Sequence, residues 1–218
     1  MRQNSLGIGL MEPTDKMKGK KLHIILASAS PRRQQMLKLI DVPFEVVKSN
    51  YVEDNRMKSW PSKIVMTHAK GKVEDVIPRV KSGVIVGADT LVYKNNVIYG
   101  KPKNMKEAHK MLNELQGSSH YVYTALAVYD TEKRQWEVDY LRTKVSMRAL
   151  TKKEISRYFE LINPLDKAGA YAIQEAGSII IDRIEGCYYN VLGFPMAKLD
   201  EMLREFGYSL FNTKSICR

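Results

Sequence analysis

The sequence predicts an α/β protein built on a mixed sheet. Short apolar runs alternate with helical patterns along most of the chain, as strand–helix units require. Among them lie β-rich runs that read as hairpins, and hairpins pair antiparallel, so the sheet is not purely parallel. A chain of 218 residues, 44% hydrophobic and 27% charged, is also long enough to bury a core without cross-links.

Each element has its own reason. Residues 1–20 carry no periodic pattern and contain Gly7, Gly9, Pro13 and Gly19, so they read as a flexible extension ahead of one domain spanning 21–210. The apolar run 22–27 is a buried strand. Ser30 fits an N-cap and Pro31 the first helical position, so a helix follows to Ile40. Residues 42–47 form a second strand. A helix over 62–76 enters through Trp60-Pro61. Residues 83–87 form another apolar strand, with Ala88-Asp89-Thr90 at or near its end. Runs 91–94 and 97–99 flank Asn95-Asn96, a pair that tolerates positive φ, and form a hairpin. Asn104 and Glu107 resemble a capping box for a helix over 105–116, stopped by Gly117. Runs 120–130 and 137–147, rich in Val, Tyr and Thr, pair through a turn near Glu132 and Lys133. Thr151 and Glu154 cap a helix that ends before Asn163-Pro164. A strand over 179–184 and a helix over 195–206 close the domain.

Composition narrows the function. No apolar run approaches the length of a membrane span, and residues 1–21 lack the apolar segment of a secretory signal. Only Cys187 and Cys217 occur, with no CxxC or Cys/His cluster, which argues against a disulfide framework or a zinc site and for a cytoplasmic protein. The net charge of +11 suits nucleic acid or phosphorylated small molecules. The basic residues are spread, apart from Lys16, Lys18, Lys20 and Lys21, and that spread disfavours nucleic acid.

Several constellations carry chemistry. Ser28-Ala29-Ser30-Pro31-Arg32-Arg33 joins a strand to a helix start. Free backbone N–H groups, two hydroxyls and two guanidinium groups there suit a phosphate, although a capped helix with solvent-facing arginines would look the same. Asp89, beside Gly87 and Thr90, suits either a divalent cation or a proton taken from water; the plainer reading is a turn aspartate. Lys101 lies in Gly100-Lys101-Pro102 after the hairpin. The small residues of 166–172 let backbone approach a ligand, and Gln174 both donates and accepts, as reading a base edge requires. Glu53 is a candidate second metal carboxylate, and Lys70 a candidate phosphate ligand. Read alone, each of the last two is a surface charge.

In this order, these segments resemble the Maf family. The run 26–33 resembles its opening motif. Gly87-Ala88-Asp89-Thr90, Gly100-Lys101-Pro102, residues 166–171 with Ile173-Gln174, and residues 190–195 resemble its later ones. The resemblance spans about 22–206. It implies an elongated mixed α/β fold like that of inosine triphosphate pyrophosphatase, with a nucleotide cleft between two lobes. It also implies hydrolysis of a nucleoside triphosphate to monophosphate and pyrophosphate, a divalent metal (Mg²⁺ or Mn²⁺), and a homodimer. By motif position Asp89 is the general base. Ser28, Ser30, Arg33, Lys70 and Lys101 hold the triphosphate, and Glu53 with Asp89 holds the metal. Arg32, Thr90 and Gln174 resemble the subgroup acting on dTTP and UTP; Glu175 departs from the simplest pattern, where a small residue is common. The competing readings are a pyrophosphatase for a modified purine triphosphate and a nucleotide-binding regulator of cell division and septum formation.

Overall fold

A computed structural model describes residues 22–54 and 57–212. The predicted extension over 1–20 lies outside these residues. The elements run in order as β1 (Ile24–Leu26), α1 (Pro31–Leu39), β2 (Phe44–Val46), α2 (Pro61–Val76), β3 (Val84–Lys94), β4 (Val97–Tyr99), α3 (Met105–Leu115), β5 (Ser119–Asp130), β6 (Gln135–Met147), α4 (Lys152–Leu161), β7 (Ile181–Glu185), α5 (Tyr188–Leu192) and α6 (Met196–Glu205). Short 3₁₀ turns occupy Ile77–Arg79, Ala168–Ala170, Glu175–Ile179 and Leu210–Asn212.

The strands form one mixed sheet in the order β2-β1-β3-β5-β6-β7, with β4 on β3. β1 is parallel to β2 and β3; the other pairings are antiparallel. The predicted caps at Asn104 and Thr151 are present, the second as a full capping box with Glu154. Ser30 stands at the N-cap of α1, but its side chain caps nothing.

Alternation along the long strands divides the core. On one face of β3 and β5, Val84, Val86, Leu126 and Val128 pack with α1 and α6. Farther along the same face, Val92 and Val122 pack with α3 and α4. These two clusters are the two lobes. The opposite face, with Ile85, Leu91, Ala125 and Ala127, is covered by Ile64, Val65, Ala69 and Val73 of α2. Between the lobes the sheet is polar: Thr90, Thr124 and Thr143 are linked by hydrogen bonds through one another and Asn190 of α5. That seam underlies a cleft of about 750 Å³, a size that suits a nucleotide.

Two differences from the expected elements bear on the site. The run 83–87 and the first hairpin strand are one strand, β3, so Asp89 lies in mid-strand and not at its end. Residues 188–192, for which the sequence pattern predicts no element, form α5.

Candidate active site

The site exists because one edge of β3 has a gap. β5 pairs with β3 from Val84 to Tyr93. On the other edge β1 pairs only with Val84–Val86, and β4 only with Val92–Lys94. The backbone between them has no strand partner, and an unpaired buried carbonyl is costly. Side chains supply the missing bonds: Ala88 O accepts from Arg33 Nη1 at 2.9 Å and from Lys72 Nζ at 3.2 Å. The break in the ladder thus draws two cations to the position beside Asp89.

Asp89 is 6% exposed. Lys72 Nζ donates to Asp89 Oδ1 at 2.6 Å and also lies 2.7 Å from Glu53 Oε1. α2 sits close enough for this because Gly87 has no side chain; a Cβ there would stand 2.6 Å from Ala69 O. Burial pushes the Asp89 carboxyl above the ordinary aspartate value, against the pull of Lys72. At Glu53, burial is outweighed by the charge and hydrogen bond of Lys72, with help from Lys101, so that carboxyl lies below its ordinary value. The two carboxylates are therefore pushed apart in acidity across one ammonium.

Facing them is the start of α1. With no side-chain cap from Ser30, the first N–H groups of the helix keep their donors for a ligand. Ser30 N instead donates to Ser28 Oγ at 3.3 Å. Arg33 is a hub. It donates to Gly193 O at 3.0 Å through Nε, to Ser28 Oγ at 3.0 Å and Ala88 O through Nη1, and to Thr90 Oγ1 at 3.5 Å through Nη2. Those bonds join α1, β3 and the turn after α5, leaving one guanidinium N–H. Arg32 donates to Asp166 O at 3.1 Å. Farther along the cleft are Lys101, Gln174 and Glu175.

The cleft gathers Ser28, Ser30, Arg32, Arg33, Glu53, Asp89, Thr90, Lys101 and Gln174 from segments far apart in sequence. It does not gather Lys70. That side chain is on the far side of α2, 3.6 Å from Glu74 and 5.2 Å from the Trp136 ring centre. Lys72, which sequence reasoning missed, occupies the place foreseen for a cleft lysine. Two residues on a helix are about 200° apart, so 70 and 72 face opposite ways. The signal was present: Lys72 lies seven residues after Val65 and three after Ala69, on the apolar stripe.

The Maf-like protein family model matches residues 23–206. The chain belongs to the Maf-like family. Its relatives include proteins named dTTP/UTP pyrophosphatase. That from Dictyoglomus thermophilum is 42% identical over 87% of this chain and 99% of its own. That from Caldicellulosiruptor saccharolyticus is 41% identical over 86% and 96%, and that from Clostridium botulinum strain Kyoto 42% over 86% and 99%. Among solved structures, the Staphylococcus aureus Ham1 protein is a weak match, with 11% identity and a TM-score of 0.42 over 84% of this chain and 97% of that one.

In this Maf-like chain, Asp89 and Glu53 are two cleft carboxylates that could hold a divalent cation. Both are within hydrogen-bonding distance of the Lys72 ammonium, so a single positive centre already reaches the two. Hard carboxylate oxygens, completed by phosphate oxygens, suit Mg²⁺ or Mn²⁺. Among the described residues no helix is long and apolar enough to cross a membrane.

Proposed function

We propose that the chain hydrolyses dTTP and UTP to the monophosphate and pyrophosphate, with Asp89 as the base. The observation that carries this is the buried Asp89 carboxylate, held by Lys72 in the β3 gap opposite an uncapped helix start with Ser28 and Arg33. The names of the relatives supply the substrate class.

The triphosphate lies along the cleft with its anionic oxygens toward the first turn of α1, Ser28 and Ser30. The charges of Arg33, Lys72 and Lys101 favour the developing negative charge on the pyrophosphate leaving group. Arg33 acts mainly through its field and by fixing Ser28, because most of its donors are held by the protein. Asp89 and Glu53 would hold a divalent cation, which would supply charge neutralisation at the phosphates. Asp89, ionised, orients a water and accepts its proton as the water attacks the α phosphorus. Burial raises its pKa in the metal-free chain, which favours proton acceptance. Gln174 reads the edge of the base, and Arg32 and Thr90 shape that end. The protein acts in the cytoplasm as a homodimer.

Pyrophosphate release from a triphosphate panel with Mg²⁺ or Mn²⁺ tests this. Turnover of dTTP and UTP above the purine triphosphates is expected. Turnover of a purine alone overturns the substrate reading, and no turnover leaves the nucleotide-binding regulator.

A further inference from the structure

The segment that carries Glu53, residues 47–54, has no regular secondary structure. One face of α2 nevertheless pins it residue by residue. His68, Gly71, Lys72 and Asp75 are spaced i, i+3, i+4 and i+7, so they share a face. Asp75 accepts from Asn50 N at 2.8 Å and from Ser49 Oγ at 3.2 Å, and Arg79 just beyond the helix donates to Lys48 O at 2.9 Å. The ring of Tyr51 lies on Gly71, where a Cβ would come within 2.3 Å of it. The Tyr51 hydroxyl and His68 Nδ1 are hydrogen-bonded at 3.0 Å. Two residues later Glu53 meets Lys72.

His68 is 2% exposed, and its Nε2 is buried without a hydrogen-bond partner. A leucine would fill similar space with no unsatisfied nitrogen. What the imidazole adds is the bond that fixes Tyr51, and Tyr51 is the last anchor before the carboxylate. Val52 between them is exposed and fixes nothing.

We propose that Tyr51 and His68 are positioning residues that set the Glu53 carboxylate opposite Asp89 and thereby set the divalent-cation affinity of the site. The proposal rests on Asp89 and Glu53 being the metal pair. Outer residues that orient metal-binding carboxylates typically change affinity by about 10- to 100-fold when removed.

The test is Mn²⁺ binding to the full chain without nucleotide, followed by electron paramagnetic resonance, with thermal melting as the check on folding. Tyr51→Phe deletes one oxygen and keeps the ring on Gly71. His68→Leu deletes the partner, and His68→Asn returns a polar atom near the place of Nδ1. Tyr51→Phe and His68→Leu are expected to weaken Mn²⁺ about 10-fold, with kcat at saturating Mn²⁺ nearly unchanged and with His68→Asn recovering much of the loss. Wild-type Mn²⁺ affinity in both Tyr51→Phe and His68→Leu, with Glu53→Gln weakened, overturns the positioning role while keeping the metal pair. Wild-type affinity in Glu53→Gln overturns the metal pair itself and the proposal with it.

Discussion

Asp89 and Lys72 meet at 2.6 Å beneath the cleft, a buried carboxylate and an ammonium joined across the gap between β1 and β4. Burial still keeps the Asp89 carboxyl above its ordinary value despite that cation. Ionising it therefore costs folding free energy. As pH rises from the ordinary aspartate value through the raised one, the folded state holds its proton longer than the unfolded state, and stability from this group is lost. Asp89→Asn removes that loss. Its melting temperature, relative to wild type, should rise with pH across this window and level off above it, as calorimetry at stepped pH would show.

Lys70 and Lys72 separate the two faces of α2. Lys70→Ala removes an exposed pair with Glu74 and a contact with Trp136, and should change stability by less than about 1 kcal/mol and pyrophosphate release less than twofold. Lys72→Met leaves Asp89 and Glu53 without their shared cation, and should lower kcat by about 10²–10³-fold. Steady-state rates on the two variants, measured side by side, decide this.

Gly87 permits the approach of α2 to β3. Gly87→Ala places a methyl 2.6 Å from Ala69 O and Val73 Cγ2, so the helix must move off the strand. Destabilisation of about 1–3 kcal/mol by urea unfolding is expected, together with a lower kcat because Lys72 moves with its helix.

His120 gives a second pH dependence, of opposite sign to that of Asp89. Burial, with a smaller push from Lys94, lowers its pKa to about 4 from 6.5, and its Nε2 is bonded to Tyr171 OH at 2.7 Å. Its neutral form contributes stability above 6.5 that is lost as pH falls toward 4, amounting to roughly 3 kcal/mol. Replacing it with Gln should flatten that acid limb in chemical denaturation.

The fold was legible where local pattern and tertiary structure agree. The caps at Asn104 and Thr151, the hairpin at Asn95-Asn96 and the paired runs that became β5 and β6 all stand as the sequence implied. The Asp89 strand was harder to read. Gly87-Ala88-Asp89-Thr90 looks like a strand end, but β5 pairs across it and keeps the backbone extended. Lys72 was missed because local reading treats a helix lysine as surface, whereas the β3 gap draws this one inward. Tyr51 and His68 were invisible for the same reason: their contact joins a segment without regular structure to a helix.

The most direct test of the account is the rate of pyrophosphate release from dTTP by Asp89→Asn, with folding verified by its melting curve. The substitution keeps the shape of the side chain and removes its ability to take a proton. The account predicts a loss of about 10²–10⁴-fold in kcat in a protein at least as stable as wild type. A folded Asp89→Asn protein that turns over dTTP at the wild-type rate would contradict it.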